Sequence, residues 1–117
     1  MSVIEINTLQ QLSDLIGGDK ASLHELIETF IEEGAEIVTS MKASLAEKNL
    51  DVLRRGAHSM KSSAQDFGAT TLSQLNAALE AQCKNGWPET AESQTEEIAQ
   101  QFSAVHLELQ QYLIDNE

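Results

Sequence analysis

Several things are scarce in this chain of 117 residues, and each scarcity excludes something. There is one cysteine, Cys83. It rules out an intramolecular disulfide and any multi-cysteine metal site, and reads as a small core residue. Aromatics make up only 4% against 41% hydrophobic residues overall, so a core must come from Leu, Ile, Val, Ala and Met, as in a helical bundle. One proline and six glycines leave long uninterrupted segments, which favours helices. Lys and Arg number 7 against 19 Asp and Glu, for a net charge of −12. Nucleic acid is disfavoured as a partner, because phosphate backbones want a basic face; anionic membranes are disfavoured for the same reason. No apolar run approaches the ~20 residues of a membrane span. No basic region followed by an apolar stretch marks the N-terminus as a signal peptide. A cytoplasmic protein is the expectation.

What is present is helical periodicity. A short first helix is expected over 8–16, with Leu9, Leu12, Leu15 and Ile16 as its apolar face. Gly17-Gly18 ends it and Asp19 can cap the next. The second helix, 20–48, carries a stripe at three- and four-residue steps: Leu23, Leu26, Ile27, Phe30, Ile31, Ile37, Val38, Met41 and Leu45. Gly34 interrupts it at a cost of about 1 kcal/mol. After the Lys48-Asn49 turn, a third helix over 50–66 repeats Leu50, Leu53, Ala57, Met60, Ala64 and then Phe67, the period of a bundle seam. Gly68 marks a break. A fourth helix over 70–84 carries Leu72, Leu75, Leu79 and Cys83. Asn85-Gly86-Trp87-Pro88 is a turn, and a fifth helix over 89–114 carries Ile98, Phe102, Val105, Leu109 and Tyr112. The expected fold is all-α: an antiparallel four-helix bundle with a short N-terminal capping helix, one domain over 1–117.

The chemistry concentrates on the third helix. With the seam facing inward, Arg54, His58, Lys61, Ser62 and Gln65 share another face, so His58 is expected at the surface with a cation a turn before and another a turn after. Three of the seven basic residues, Arg54, Arg55 and Lys61, lie within eight positions around it. A basic spot on so acidic a chain suggests that something anionic is held there. Imidazole is largely neutral near pH 7 and keeps one nitrogen lone pair free, so it can attack a phosphoryl group without a dedicated base. Positive charge and positioning do most of the catalysis of such a transfer. Lys61 can supply the charge, and Ser62 is small enough to leave the ring unshielded. On the residues alone, a surface histidine with ordinary charged neighbours is the competing reading, since His-x-x-Lys is a weak motif.

The longer run is more specific. His58-Ser59-Met60-Lys61-Ser62-Ser63, then Gly68-Ala69, resembles the signature of histidine-containing phosphotransfer (HPt) domains: His, Lys three residues on, small residues, and Gly ten residues after the His. Gly17-Gly18-Asp19 with Leu23, Leu26, Ile27 and Phe30 is similar to the family's lead-in. Leu72, Leu75, Leu79 and Glu80, then Lys84 and Gly86, resemble the stretch that follows its signature. The resemblance implies a monomeric phosphocarrier of a two-component phosphorelay, without ATP binding or turnover of its own. His58 would accept a phosphoryl group, on Nε2, from the aspartate of one receiver domain and pass it to another. Lys61 would assist electrostatically and Gly68 would hold the helix break; Ser62, Gln65 and Arg54, placed by the helical wheel on the same face as His58, are expected around the phosphoryl group. Response-regulator receiver domains are the implied partners, with a hybrid histidine kinase as a further candidate. Docking would involve Leu12, Ile16 and Arg55. No cofactor is implied for the chain itself, the Mg²⁺ of the transfer belonging to the receiver. Two positions depart from the pattern: Ser62 stands where glycine is frequent, and Gln65 where a small residue is usual.

Two other readings compete with phosphotransfer. One is a degenerate HPt-like module that binds a signalling partner without accepting phosphate; the other is an unrelated helical adaptor. His24 and His106 stand singly on separate helices and read as ordinary surface or boundary residues. No His-x₃-His or Glu-x-x-His pair suggests a metal.

Overall fold

The computed structural model describes residues 2–116, and among them every regular element is a helix: α1 (Ile6–Leu15), α2 (Lys20–Glu47), α3 (Leu50–Asp66), α4 (Thr70–Cys83) and α5 (Ala91–Asp115). Bounds fall within two residues of those expected. The largest differences are the start of α1, two residues earlier, and that of α5, two residues later. Asp19 caps α2 as its position suggests, accepting from the Ala21 N–H at 3.2 Å and the Ser22 hydroxyl at 2.6 Å. Asn49, expected only as part of a turn, also caps α3 by accepting from the Val52 N–H. Lys48 before it takes the left-handed conformation, φ 51°, and turns the chain between the two helices.

Packing makes a helical bundle. α2 lies against α3 and α5, α4 lies against the same two, and α1 rests on α2. The α3 seam is fully inward: Leu53, Ala57, Met60 and Ala64 are all buried, while Leu50 and Phe67 at its ends are half-buried. α2 runs without a break through Gly34. A Cβ there would stand 2.4 Å from Cε1 of Phe102, so this glycine lets α2 and α5 approach closely. Two residues counted in apolar faces turn outward. Leu15 is 83% exposed at the last turn of α1, and Leu26 is 38% exposed on α2. Both are exceptions to the stripe rule, which assigns a face but not the width of the contact.

The α3–α4 break is tied to the N-terminus. Gly68 has φ +79°, and its carbonyl accepts the Glu5 N–H at 2.8 Å. Ile4 is buried, and Val3 N–H donates to the Glu108 carboxylate on α5 at 2.8 Å. The first residues thus strap the end of the bundle at which α3 finishes. No helix among the described residues is long and apolar enough to cross a membrane.

Candidate functional site

α3 buries positions 53, 57, 60 and 64, and this rotation leaves His58 outward, with its side chain 61% exposed. What the ring meets comes from α4. Glu80 lies 22 positions on in sequence, yet its Oε2 is 2.6 Å from His58 Nδ1, and its Oε1 accepts from the Lys61 ammonium at 2.6 Å. One carboxylate therefore bridges the histidine and the lysine, each through its own oxygen. α4 is fixed beside this turn of α3 by a further bond, the Ser73 hydroxyl donating to the Lys61 carbonyl at 2.9 Å.

The carboxylate is ionised at neutral pH. The Lys61 hydrogen bond holds the Glu80 carboxyl below its ordinary value of 4.5; partial burial opposes this and the His58 contact adds to it. An ionised carboxylate only accepts hydrogen bonds. Its contact at Nδ1 therefore places the proton of the neutral ring there and leaves the Nε2 lone pair free. Because the folded state binds the Glu80 proton less tightly than the unfolded chain, this group stabilises the fold fully above the unfolded value and loses that contribution as pH falls through the folded one. In urea unfolding, wild type is expected to exceed Glu80→Gln in stability at pH 7. The gap should shrink as pH drops below about 4.5, and a gap constant from pH 7 to pH 3 would remove Glu80 from the balance.

The other expected site residues fall as follows. Ser62 and Gln65 are exposed on the same outward side. Arg54 is exposed but not free: it pairs with Asp51 at 3.1 Å, and Arg55 pairs with the other oxygen of the same carboxylate. Asp51, three and four positions before them, neutralises part of the basic spot that composition alone suggested. Lys61 is the cation the fold brings to His58. Leu12 and Ile16 are half-buried and pack on the core. Arg55 instead lines a groove of about 490 Å³ between α2 and α3, with Ile37, Val52, Gly56 and Ser59. The site residue that sequence reasoning missed is Glu80, which enters the family resemblance without a role. Nothing local to α4 signals it, whereas the i, i+3/i+4 spacing of Asp51 signals the arginine pairing.

His24 is exposed and pairs with Glu28. His106 sits half-buried against Phe102, ring centroids 6.4 Å apart. Among the described residues no three His, Cys, Asp or Glu side chains cluster as metal ligands would.

The Hpt domain profile matches residues 25–113, well over half of the chain. The chain belongs to the Hpt domain family. Hpt domains are the histidine phosphotransfer modules of two-component phosphorelays, carriers rather than enzymes, and they interact with receiver domains and kinases. The fold agrees. The crystal structure of histidine-containing phosphotransfer protein B from Pseudomonas aeruginosa matches with a TM-score of 0.88 at 23% identity, covering 96% of this chain and 95% of that one. Comparison with curated protein sequences gives no match.

Proposed function

We propose that this Hpt domain carries its phosphoryl group on Nε2 of His58, between aspartates of receiver domains, and that Lys61 supplies the positive charge. The observation that carries the reading is the Glu80 contact at Nδ1, 2.6 Å, which leaves Nε2 as the free nucleophile on the outward side of α3. Attack by the Nε2 lone pair on phosphorus forms the N–P bond. The P–O bond of the receiver's aspartyl phosphate breaks, and its electrons leave with the carboxylate. The ring keeps its Nδ1 proton and becomes cationic, so no proton need be removed.

The same reading takes residues 1–117 as one domain, α2 to α5 as an antiparallel bundle capped by α1, and the protein as a cytoplasmic monomer without ATP chemistry or a cofactor of its own. Short connections between packed neighbours support the antiparallel order. The receiver would cover the His58 face with Ser62, Gln65 and Arg54. Arg55 and the groove beside it supply the further docking surface. Leu12 and Ile16 would contribute through their exposed edges, and Gly68 holds the α3 end in place. A hybrid kinase fits as an upstream partner.

The test is transfer of label from a phosphorylated receiver, with peptide mapping under alkaline conditions. Acid-labile, alkali-stable label on the peptide containing His58 is expected. Stable binding of receivers with no label transferred would favour the sequestering or adaptor reading instead. Lys61→Met is expected to slow uptake by roughly tenfold to a hundredfold without preventing it, measured as the single-turnover rate. An unchanged rate would assign Lys61 to Glu80 alone.

A further inference from the structure

Glu80 touches the ring on the side away from the transferred group, and that position has a consequence for the outgoing step. We infer that Glu80 is a positioning residue for phosphoryl release: it keeps the proton on Nδ1 of His58 while Nε2 carries the phosphoryl group. The inference rests on His58 being the phosphoacceptor.

The chemistry is a matter of leaving groups. When the carboxylate of a second receiver attacks phosphorus, a new P–O bond forms and the N–P bond breaks with its electron pair returning to Nε2. If Nδ1 still carries its proton, the ring leaves as neutral imidazole. If that proton has been lost, the ring must leave as an imidazolate anion, a far poorer leaving group. A carrier therefore needs its phosphorylated ring to stay protonated at working pH, with nothing removing the Nδ1 proton in between.

The surroundings other than Glu80 work against this. Lys61, a turn after His58 on α3, places an ammonium beside a ring that must be cationic. Arg54, a turn before, is partly offset by Asp51. On the α2 side, Glu33 and Glu36 line the groove shared with Ser59 and form no bond to the ring among the described residues. From α4, Glu80 meets the ring directly through Oε2 at 2.6 Å, with a side chain only 15% exposed. A hydrogen bond from Nδ1 to a fixed, partly buried carboxylate favours the protonated ring. Because Oε1 is spent on Lys61, the carboxylate is held in place for Oε2 to act, and the lysine charge nearest the ring is countered at its source.

The experiment uses the full chain phosphorylated with phosphoramidate, a small-molecule donor that needs no receiver. Long-range ¹H–¹⁵N NMR then follows the phosphorylated ring as a function of pH. The wild-type ring is expected to hold its Nδ1 proton to a pH about one unit or more above that of Glu80→Gln. Transfer out to an Mg²⁺-loaded receiver should fall about tenfold further between pH 6 and pH 8 in Glu80→Gln than in wild type. Coincident titrations in the two proteins would overturn the inference. Glu80→Asp gives an independent arm if Glu80→Gln does not fold: the shorter side chain keeps the charge but withdraws it from Nδ1, so the proton should be lost at a lower pH than in wild type, and an unchanged titration would sink the idea. Failure of wild type to form phosphohistidine at position 58 would overturn the carrier reading itself, an outcome distinct from equal titrations in labelled proteins.

Discussion

His58→Gln is expected to abolish phosphoryl uptake, by on the order of 10³-fold or more, while leaving the fold and receiver binding close to wild type. The size of the loss follows from chemistry. Glutamine is similar in reach and can donate an N–H toward Glu80, but it has no nitrogen lone pair able to attack phosphorus. Neither remaining histidine can substitute. His24 has its Nε2 turned to Glu28 on α2, 3.3 Å away, and His106 is half-buried against Phe102 on α5. The tolerance of the fold follows from exposure. The side chain is 61% exposed and its neighbours in the seam, Ala57 and Met60, are buried independently of it, so substitution is expected within about 0.5 kcal/mol of wild-type stability. Label transfer, circular dichroism and a receiver-binding titration on one preparation separate the two effects. Residual labelling above a hundredth of wild type would place the acceptor elsewhere.

The helix that carries His58 is legible in the sequence because its pattern is local. Leu53, Ala57, Met60 and Ala64 set the rotation of α3, and rotation alone puts His58 outside. The bounds of α2 and α3 follow from Gly17-Gly18-Asp19 and from Lys48-Asn49, signals that act within one turn of each end. What is not legible depends on which helix lies beside which. Glu80 reaches His58 only because α4 packs along α3 with Ser73 opposite Lys61, and no periodicity in either helix encodes that register. The outward turn of Leu15 and Leu26 has the same origin, since a stripe names a face while the neighbouring helix decides how much of it is covered. Arg54 and Arg55 are a different case. Their pairing with Asp51 is a same-helix contact, and its three- and four-residue spacing alone shows that the basic spot is partly neutralised.

The same dependence on register makes Gly68 a position where a small change is costly. Gly68→Ala is expected to destabilise the protein by roughly 2–4 kcal/mol, from two separable sources. A side chain at φ +79° costs about 1–2 kcal/mol in backbone strain. The added Cβ would also stand 2.7 Å from the Glu5 carbonyl oxygen and 3.1 Å from Cβ of Thr8. Backbone oxygen cannot step aside as a flexible side chain can, so the N-terminal strap must shift. With it goes the Glu5 N–H bond to the Gly68 carbonyl, worth about 1 kcal/mol, and some burial of Ile4. The two sources can be told apart by removing residues 1–5. In the shortened chain the contacts to Glu5 are absent, and the cost of Gly68→Ala should fall toward the strain alone. Urea unfolding of the four proteins in this cycle measures the coupling directly. A cost that is equal in the full and shortened chains would mean that the strap does not press on Gly68. A cost near zero in both would mean that α3 and α4 can be joined without the left-handed residue. Because His58 lies more than two turns before this break, the full-length variant is expected to accept label at the wild-type rate below its unfolding transition. Gly68 would then act on the amount of folded carrier, and the bond made at Nε2 would be untouched.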